Sequence, residues 1–168
     1  MIIDTTQATF FDFRVTGHVH VALERDNRVI YECDQHNLVM DSGRNYIANR
    51  IAYNSPLSGN GDANGIAKVG YMAIGVDSSN STATNLTALV NQTGTRVTTT
   101  VTVATNTVTY TGVFETSNGS GSVQEAGLFN DSTATTGSYN MLARTTFGVI
   151  TKVSGSDKLT LTWTLTVS

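Results

Sequence analysis

The clearest pattern in the sequence is a strict alternation of apolar and polar residues near its end, from Leu159 to Val167, L-T-L-T-W-T-L-T-V. Successive side chains of a β-strand point to opposite faces, so the alternation predicts a strand with one apolar face and one threonine face. Threonine is β-branched and suits the exposed side of a sheet. The apolar face carries the only tryptophan, Trp163, and therefore needs both a neighbouring strand and a facing layer.

Shorter segments with strand patterns occur along the rest of the chain, separated by turn residues. Asp26-Asn27 suits a tight hairpin turn, because aspartate and asparagine tolerate the left-handed backbone conformation. A short A-T-N turn separates another pair of Val/Thr-rich segments, which is a strong hairpin signal. The predicted strands cover residues 17–23, 29–33, 69–76, 96–103, 107–114, 123–129, 139–150 and 159–167.

One short helix is predicted near 42–53. The side-chain oxygen of Asp41 or Ser42 can accept a hydrogen bond from the first backbone N–H groups of a helix. Apolar side chains then follow at roughly helical spacing, at Tyr46, Ile47, Ile51 and Tyr53.

These elements together predict an all-β fold. About eight closely spaced strands with turn signals favour a jelly-roll-like two-sheet β-sandwich over a parallel α/β fold. We expect an N-terminal arm at residues 1–16 and a single sandwich domain at residues 17–168.

Composition narrows the classes of partner. The chain has 168 residues, of which 39% are hydrophobic, 14% are charged and 28 are threonine. A net charge of −3 offers no basic footprint for nucleic acid, and no apolar run is long enough for a membrane span. The first residues, M-I-I-D-T-T, lack the basic and apolar parts of a secretion signal. We therefore expect no nucleic acid and no membrane, and synthesis in a reducing compartment, where the single Cys33 forms no intrachain disulfide.

Charge is unevenly distributed. Residues 1–53 carry 12 of the 23 charged side chains, and the remaining 115 residues carry 11. The later part of the chain therefore presents an uncharged, threonine-rich β surface. Such a surface steers charged ligands poorly and suits contact with another protein.

Candidate chemistry is sparse. His18 and His20 share one strand face, and His36 follows the first hairpin; two or three histidines on one sheet face can hold a metal ion. No carboxylate or cysteine completes a ligand spacing in the sequence, so we interpret them as surface histidines and predict no metal. The sequence also lacks a glycine-rich phosphate loop after a strand, a G-x-S-x-G turn and a C-x-x-C pair. We predict neither a catalytic residue nor a cofactor.

Two charged residues lie inside apolar strand segments, Glu125 in V-Q-E-A-G-L-F and Arg144 in M-L-A-R-T-T-F. Opposite charges on successive strands form a cross-strand ion pair more often than a catalytic pair. We predict that Glu125 and Arg144 form a structural ion pair.

The N-terminal arm carries three aromatic residues, Phe10, Phe11 and Phe13, followed by Arg14. Two interpretations remain open. The arm packs on its own domain, or it docks on a neighbouring subunit, since aromatic residues and arginine are enriched at interfaces. On the second interpretation, these four residues bind the partner.

An ordered set of short motifs resembles a broad class of tailed-bacteriophage virion proteins. The motifs span most of the chain after residue 36. Within that class, similar domains occur as small capsid decoration (cement) proteins and as tail or fibre components, with no catalytic motif. The motifs are N-L-V-M-D-S-G-R-N-Y-I-A (37–48), M-A-I-G (72–75), V-Q-E-A-G-L-F-N (123–130), M-L-A-R-T-T-F (141–147) and D-K-L-T-L-T-W-T-L-T-V (157–167).

Within that class we predict a non-enzymatic head decoration protein, because the chain is a single domain without a fibre repeat, its strand faces are neutral and threonine-rich, and its aromatic arm could extend across a lattice. Such a protein would be made in the host cytoplasm, bind the major capsid protein on the virion exterior and stabilise the shell as a homotrimer. The alternative is a tail-associated or fibre-tip adhesin that binds a host-surface receptor. The loops 54–67, 77–94 and 130–137 would then be its recognition loops, because a rigid sandwich presents loops well.

Overall fold

The computed structural model describes residues 14–52, 68–133 and 141–168. Within these residues the chain forms ten strands and one helix. The elements are β1 (Val15–Arg25), β2 (Arg28–His36), β3 (Leu38–Val39), α1 (Asp41–Ala52), β4 (Tyr71–Gly75), β5 (Gln92–Thr98), β6 (Thr100–Ala104), β7 (Thr107–Phe114), β8 (Gly121–Phe129), β9 (Met141–Lys152) and β10 (Asp157–Val167).

The strands form two antiparallel sheets of five strands each. The first sheet has the order β2-β1-β10-β7-β6, and the second has the order β3-β9-β8-β4-β5. The predicted all-β fold, a two-sheet sandwich with one short helix, is confirmed. The helix begins at Asp41, one residue before the predicted start, and β1 begins at Val15, two residues before the predicted start of the domain.

The main core lies between the two sheets. On β10, Leu159, Leu161 and Trp163 are fully buried, as the alternation predicts. Register pairs Trp163 with Val19 and Leu161 with Val21 on β1, so neighbouring strands contribute matching apolar positions. Burial of each such side chain stabilises the fold by about 1.5–3 kcal/mol.

A second, smaller core lies on the other side of the second sheet. Its buried members come from the residue before α1, from the segment 76–91 and from three strands: Met40, Ala73, Leu89, Phe129 and Met141. The guanidinium of Arg96 lies 3.7 Å above the ring of Phe129 and closes one side of this core. The outer face of the second sheet is therefore covered in part, whereas Val149 and Thr151 of β9 remain exposed.

One predicted strand is two strands in the structure. Residues 96–103 were predicted as one continuous strand, but β5 belongs to the second sheet and β6 to the first. The chain crosses between the sheets at Thr99, which is buried and donates its backbone N–H to the carbonyl of Gly70 at 2.9 Å. Residues 98–100 are all threonine, so the sequence pattern does not show where one strand ends and the next begins.

Candidate functional site

The outer face of the first sheet is an array of threonines. Cross-strand register places Thr162 opposite Thr111 and Thr164 opposite Thr109. On the next strand, β6, Thr100 lies opposite Thr111 and Thr102 lies opposite Thr109. We call this surface the threonine face; it consists of Thr160, Thr162, Thr164 and Thr166 on β10, Thr107, Thr109 and Thr111 on β7, and Thr100 and Thr102 on β6.

The threonine face is neutral and accessible. Its threonines are half-buried on β7 and β10 and exposed on β6. The hydroxyls of Thr109 and Thr164 lie 3.3 Å apart, within hydrogen-bond distance. Charged side chains lie at its margin, where Lys158 Nζ meets the Glu24 carboxylate at 2.6 Å. A partner can therefore cover this face without desolvating a charged group at its centre.

A cluster of imidazoles borders the threonine face on β1 and β2. We call it the histidine corner; it consists of His18, His20, Asp34 and His36. Asp34 Oδ1 lies 3.0 Å from His20 Nδ1 and 3.5 Å from His18 Nε2. The His18 and His36 rings meet edge-on, with centroids 6.0 Å apart. Among residues 14–52, 68–133 and 141–168, no group of three or more His, Cys, Asp or Glu is arranged to hold a metal ion.

A β-bulge explains why sequence reasoning missed Asp34. Near the turn Glu24 pairs with Val29, but Leu23 pairs with Tyr31, so Ile30 is an extra residue in β2. A shift of one residue moves every following side chain to the other face of the strand. The bulge therefore places Asp34 opposite His20, on the outer face.

The predicted ion pair is present in the structure. Arg144 donates from Nε to Glu125 Oε2 at 2.9 Å, and its Nη2 lies 2.8 Å from the same oxygen. The Arg144 side chain is 1% exposed and the Glu125 side chain is fully buried. The two residues are not directly opposite each other, because Glu125 pairs with Thr146 and Arg144 with Gly127.

The ion pair holds the segment 76–91 against the second sheet. Arg144 also donates to the carbonyls of Ser79 and Asn80, each at 3.0 Å. Glu125 accepts the backbone N–H groups of Val90 at 3.3 Å and Asn91 at 3.0 Å. These bonds satisfy both charged groups, which a buried pair requires.

Gly75 allows this close approach. A Cβ at position 75 would lie 2.4 Å from Glu125 Oε1 and 2.7 Å from the Asn91 carbonyl oxygen. Any larger residue at this position must displace the carboxylate or the segment. Residues 77–91, part of one predicted recognition loop, therefore form a packed cover of the second sheet.

A second ion pair, which the sequence did not reveal, closes one end of the first sheet. Arg25 donates from Nε and Nη2 to the two carboxylate oxygens of Asp157, at 2.6 and 2.8 Å. Asp157 is fully buried and also accepts the backbone N–H of Val153 at 2.8 Å. The Arg25 hydrogen bond, helped by the Val153 N–H, holds the pKa of Asp157 below its usual range.

The structure describes one of the four residues predicted to bind a partner through the arm. Arg14 is exposed, and its backbone exchanges two hydrogen bonds with Ser168, at 2.8 and 3.0 Å. The arm therefore leaves the domain beside the end of β10. Phe10, Phe11 and Phe13 lie outside the described residues.

Comparison with protein-family models, curated proteins and solved structures gives no match for this chain. In the described part of the chain, no helix has both the length and the apolar character required to cross a membrane. The surfaces themselves are therefore the basis for a functional proposal.

Proposed function

We propose that this chain is a non-enzymatic decoration protein of a tailed-phage head, which binds the major capsid protein from outside as a homotrimer. The observation that carries the proposal is the threonine face, an open, neutral sheet surface in a sandwich whose other sheet is partly covered on its outer face. The ordered motifs that resemble phage virion proteins support the same class of partner.

Neutrality makes the threonine face suitable for a protein partner. Interface centres are depleted of charged residues, because desolvated charges are costly unless they are paired. Threonine combines a methyl group with a hydroxyl that donates and accepts hydrogen bonds. The face can therefore bury apolar surface and also satisfy polar groups of the capsid protein.

The size of the face explains the proposed trimer. From β10 to β6 the threonine face spans two strand spacings, about 10 Å, and Thr160 to Thr166 span about 20 Å. The resulting footprint of about 200 Å² is about a quarter of the roughly 800 Å² per partner in a stable interface. Three linked copies present about 600 Å², and multivalency strengthens their attachment.

A charge placed at the centre of the face tests the proposal. Thr162→Arg introduces a long cation that docking would bury. Thr151→Arg is the matched control, because Thr151 is exposed on β9 of the other sheet. Both proteins are added to purified heads assembled without this chain, and bound copies are counted after sedimentation.

We expect Thr162→Arg to weaken head binding at least tenfold, equivalent to about 1.4 kcal/mol or more. Thr151→Arg should bind like the unmodified protein, and circular dichroism should show both variants folded. Unchanged binding by a folded Thr162→Arg protein would contradict the threonine face as the docking surface.

A further inference from the structure

An apolar groove is open at the β6 edge of the sandwich. Val101 and Val103 point to the inner side of the first sheet, opposite Tyr110 and Val108, yet they are 44% and 72% exposed. The groove has a volume of about 350 Å³, and its walls are mainly apolar and aromatic. Besides these four residues, its lining includes Tyr46, Lys68, Val69 and Tyr71.

The same edge offers free backbone hydrogen-bonding groups. β6 is the outermost strand of the first sheet and pairs with β7 on one side; no other described strand pairs with its second side. Thr100–Ala104 contains none of the charged residues or prolines that usually protect an edge strand. An extended segment can therefore add to this edge and insert alternate side chains into the groove.

We propose that this groove binds the N-terminal arm, residues 1–13, of a second copy of this chain. In an extended segment Phe11 and Phe13 lie on the same side, with the spacing that separates Val101 from Val103 on β6. The arm carries two carboxylates, Asp4 and Asp12, and no basic side chain. Lys68 at the groove supplies the complementary charge.

Chain length prevents Phe11 and Phe13 from entering the groove of their own copy together. The arm joins the described chain at Arg14, which is held beside Ser168. Val108, on the near wall of the groove, is two strand spacings or about 10 Å from β1, and it also lies about 10 Å along the strand direction from Arg14. The backbone of Phe13 is at most about 4 Å from that of Arg14. Phe13 is therefore too far from its own groove, and the two rings can enter one groove together only on a neighbouring copy.

The contact is head-to-tail, since the arm and the groove are different surfaces. Head-to-tail contacts close into rings when the rotation between copies permits it. The inference goes beyond the proposed function: it supplies a way to build a trimer, and it holds or fails without any capsid.

The first test measures the oligomeric state of purified protein by light scattering after size-exclusion chromatography. The unmodified chain should be an oligomer. Deletion of residues 1–13 and Val103→Asp should each give a folded monomer, because Val103 is mostly exposed and its substitution leaves the core intact. Val149→Asp is the control; it changes a valine that is 57% exposed on β9, and it should leave the oligomer intact.

The second test distinguishes exchange between copies from folding back. Phe11 is replaced by photoreactive benzoylphenylalanine in a heavy-isotope-labelled chain, which is mixed with unlabelled chain before illumination. We expect cross-linked peptides that join labelled Phe11 to unlabelled residues 98–104 or 68–71. A monomeric unmodified chain, an oligomeric Val103→Asp variant, or cross-links confined to one chain would each overturn the proposal. None of these results depends on binding to heads.

Discussion

At the scale of single residues, Asp157 links the stability of the sandwich to pH. Arg25 and the Val153 N–H stabilise its ionised form, so its pKa is lower in the folded chain than in the unfolded chain. Such a carboxylate stabilises the fold above its unfolded pKa of about 3.9, and this stabilisation is lost as pH falls through the folded value.

We therefore expect Asp157→Asn to lower the free energy of unfolding at pH 7 by about 1–3 kcal/mol, since a buried charge-assisted hydrogen bond is lost. Arg25 is 41% exposed, so solvent screening keeps the loss within this range. Urea denaturation between pH 2 and pH 7 measures both effects. The variant should also lose stability less steeply below about pH 4. An unchanged acid slope would contradict this role of Asp157.

Residue patterns in the sequence located one buried ion pair and missed the other. Glu125 and Arg144 were recognisable because each charge interrupts an apolar strand segment. Asp157 stands at the end of the polar turn V-S-G-S-D, where an aspartate is ordinary turn chemistry. Asp34 was missed because a single bulged residue, Ile30, determines which face of β2 it occupies.

At the scale of elements, the segment 76–91 depends on Arg144. Arg144→Met removes the bonds to the Ser79 and Asn80 carbonyls and leaves the Glu125 carboxylate buried without its cation. Breaking a buried pair in this way costs about 3–5 kcal/mol. We expect faster hydrogen exchange at the Val90 and Asn91 amides, which Glu125 binds.

Lys158→Met is the matched control for Arg144→Met. It removes the cation of the Glu24–Lys158 pair, whose side chains are 28% and 36% exposed. Exposed pairs contribute about 0–1 kcal/mol, so Lys158→Met should change stability little and leave exchange in the segment 76–91 unaltered. Equal losses of stability in the two variants would contradict the structural role assigned to Arg144.

Alternation in the sequence predicted most strands but not their boundaries or partners. It located β10 and β7 well, because apolar residues and threonines alternate from Leu159 to Val167 and from Thr107 to Thr111. The alternation predicted β5 and β6 as one strand, because the residues on both sides of Thr99, where the chain crosses between the sheets, are also threonine. The two-residue strand β3 is too short to produce a period of its own.

At the scale of the whole molecule, the two sheets differ in what covers them. The segment 76–91 covers part of the outer side of the second sheet, whereas the threonine face of the first remains accessible. Strand patterns cannot predict which sheet is covered, because the polar sequence of 76–91 is typical of a surface loop. The structure shows that this segment packs on the second sheet, through buried Leu89 and through hydrogen bonds to the Glu125–Arg144 pair.

The most direct measurement of the proposed function is cryo-electron microscopy of tailed-phage particles assembled in the presence of this chain. The proposal predicts density for the sandwich on the head exterior, at three-fold or quasi-three-fold positions, with the threonine face against the major capsid protein. Density confined to the tail would contradict it and favour receptor binding by an adhesin. A particle that lacks the chain would contradict a structural role in the virion altogether.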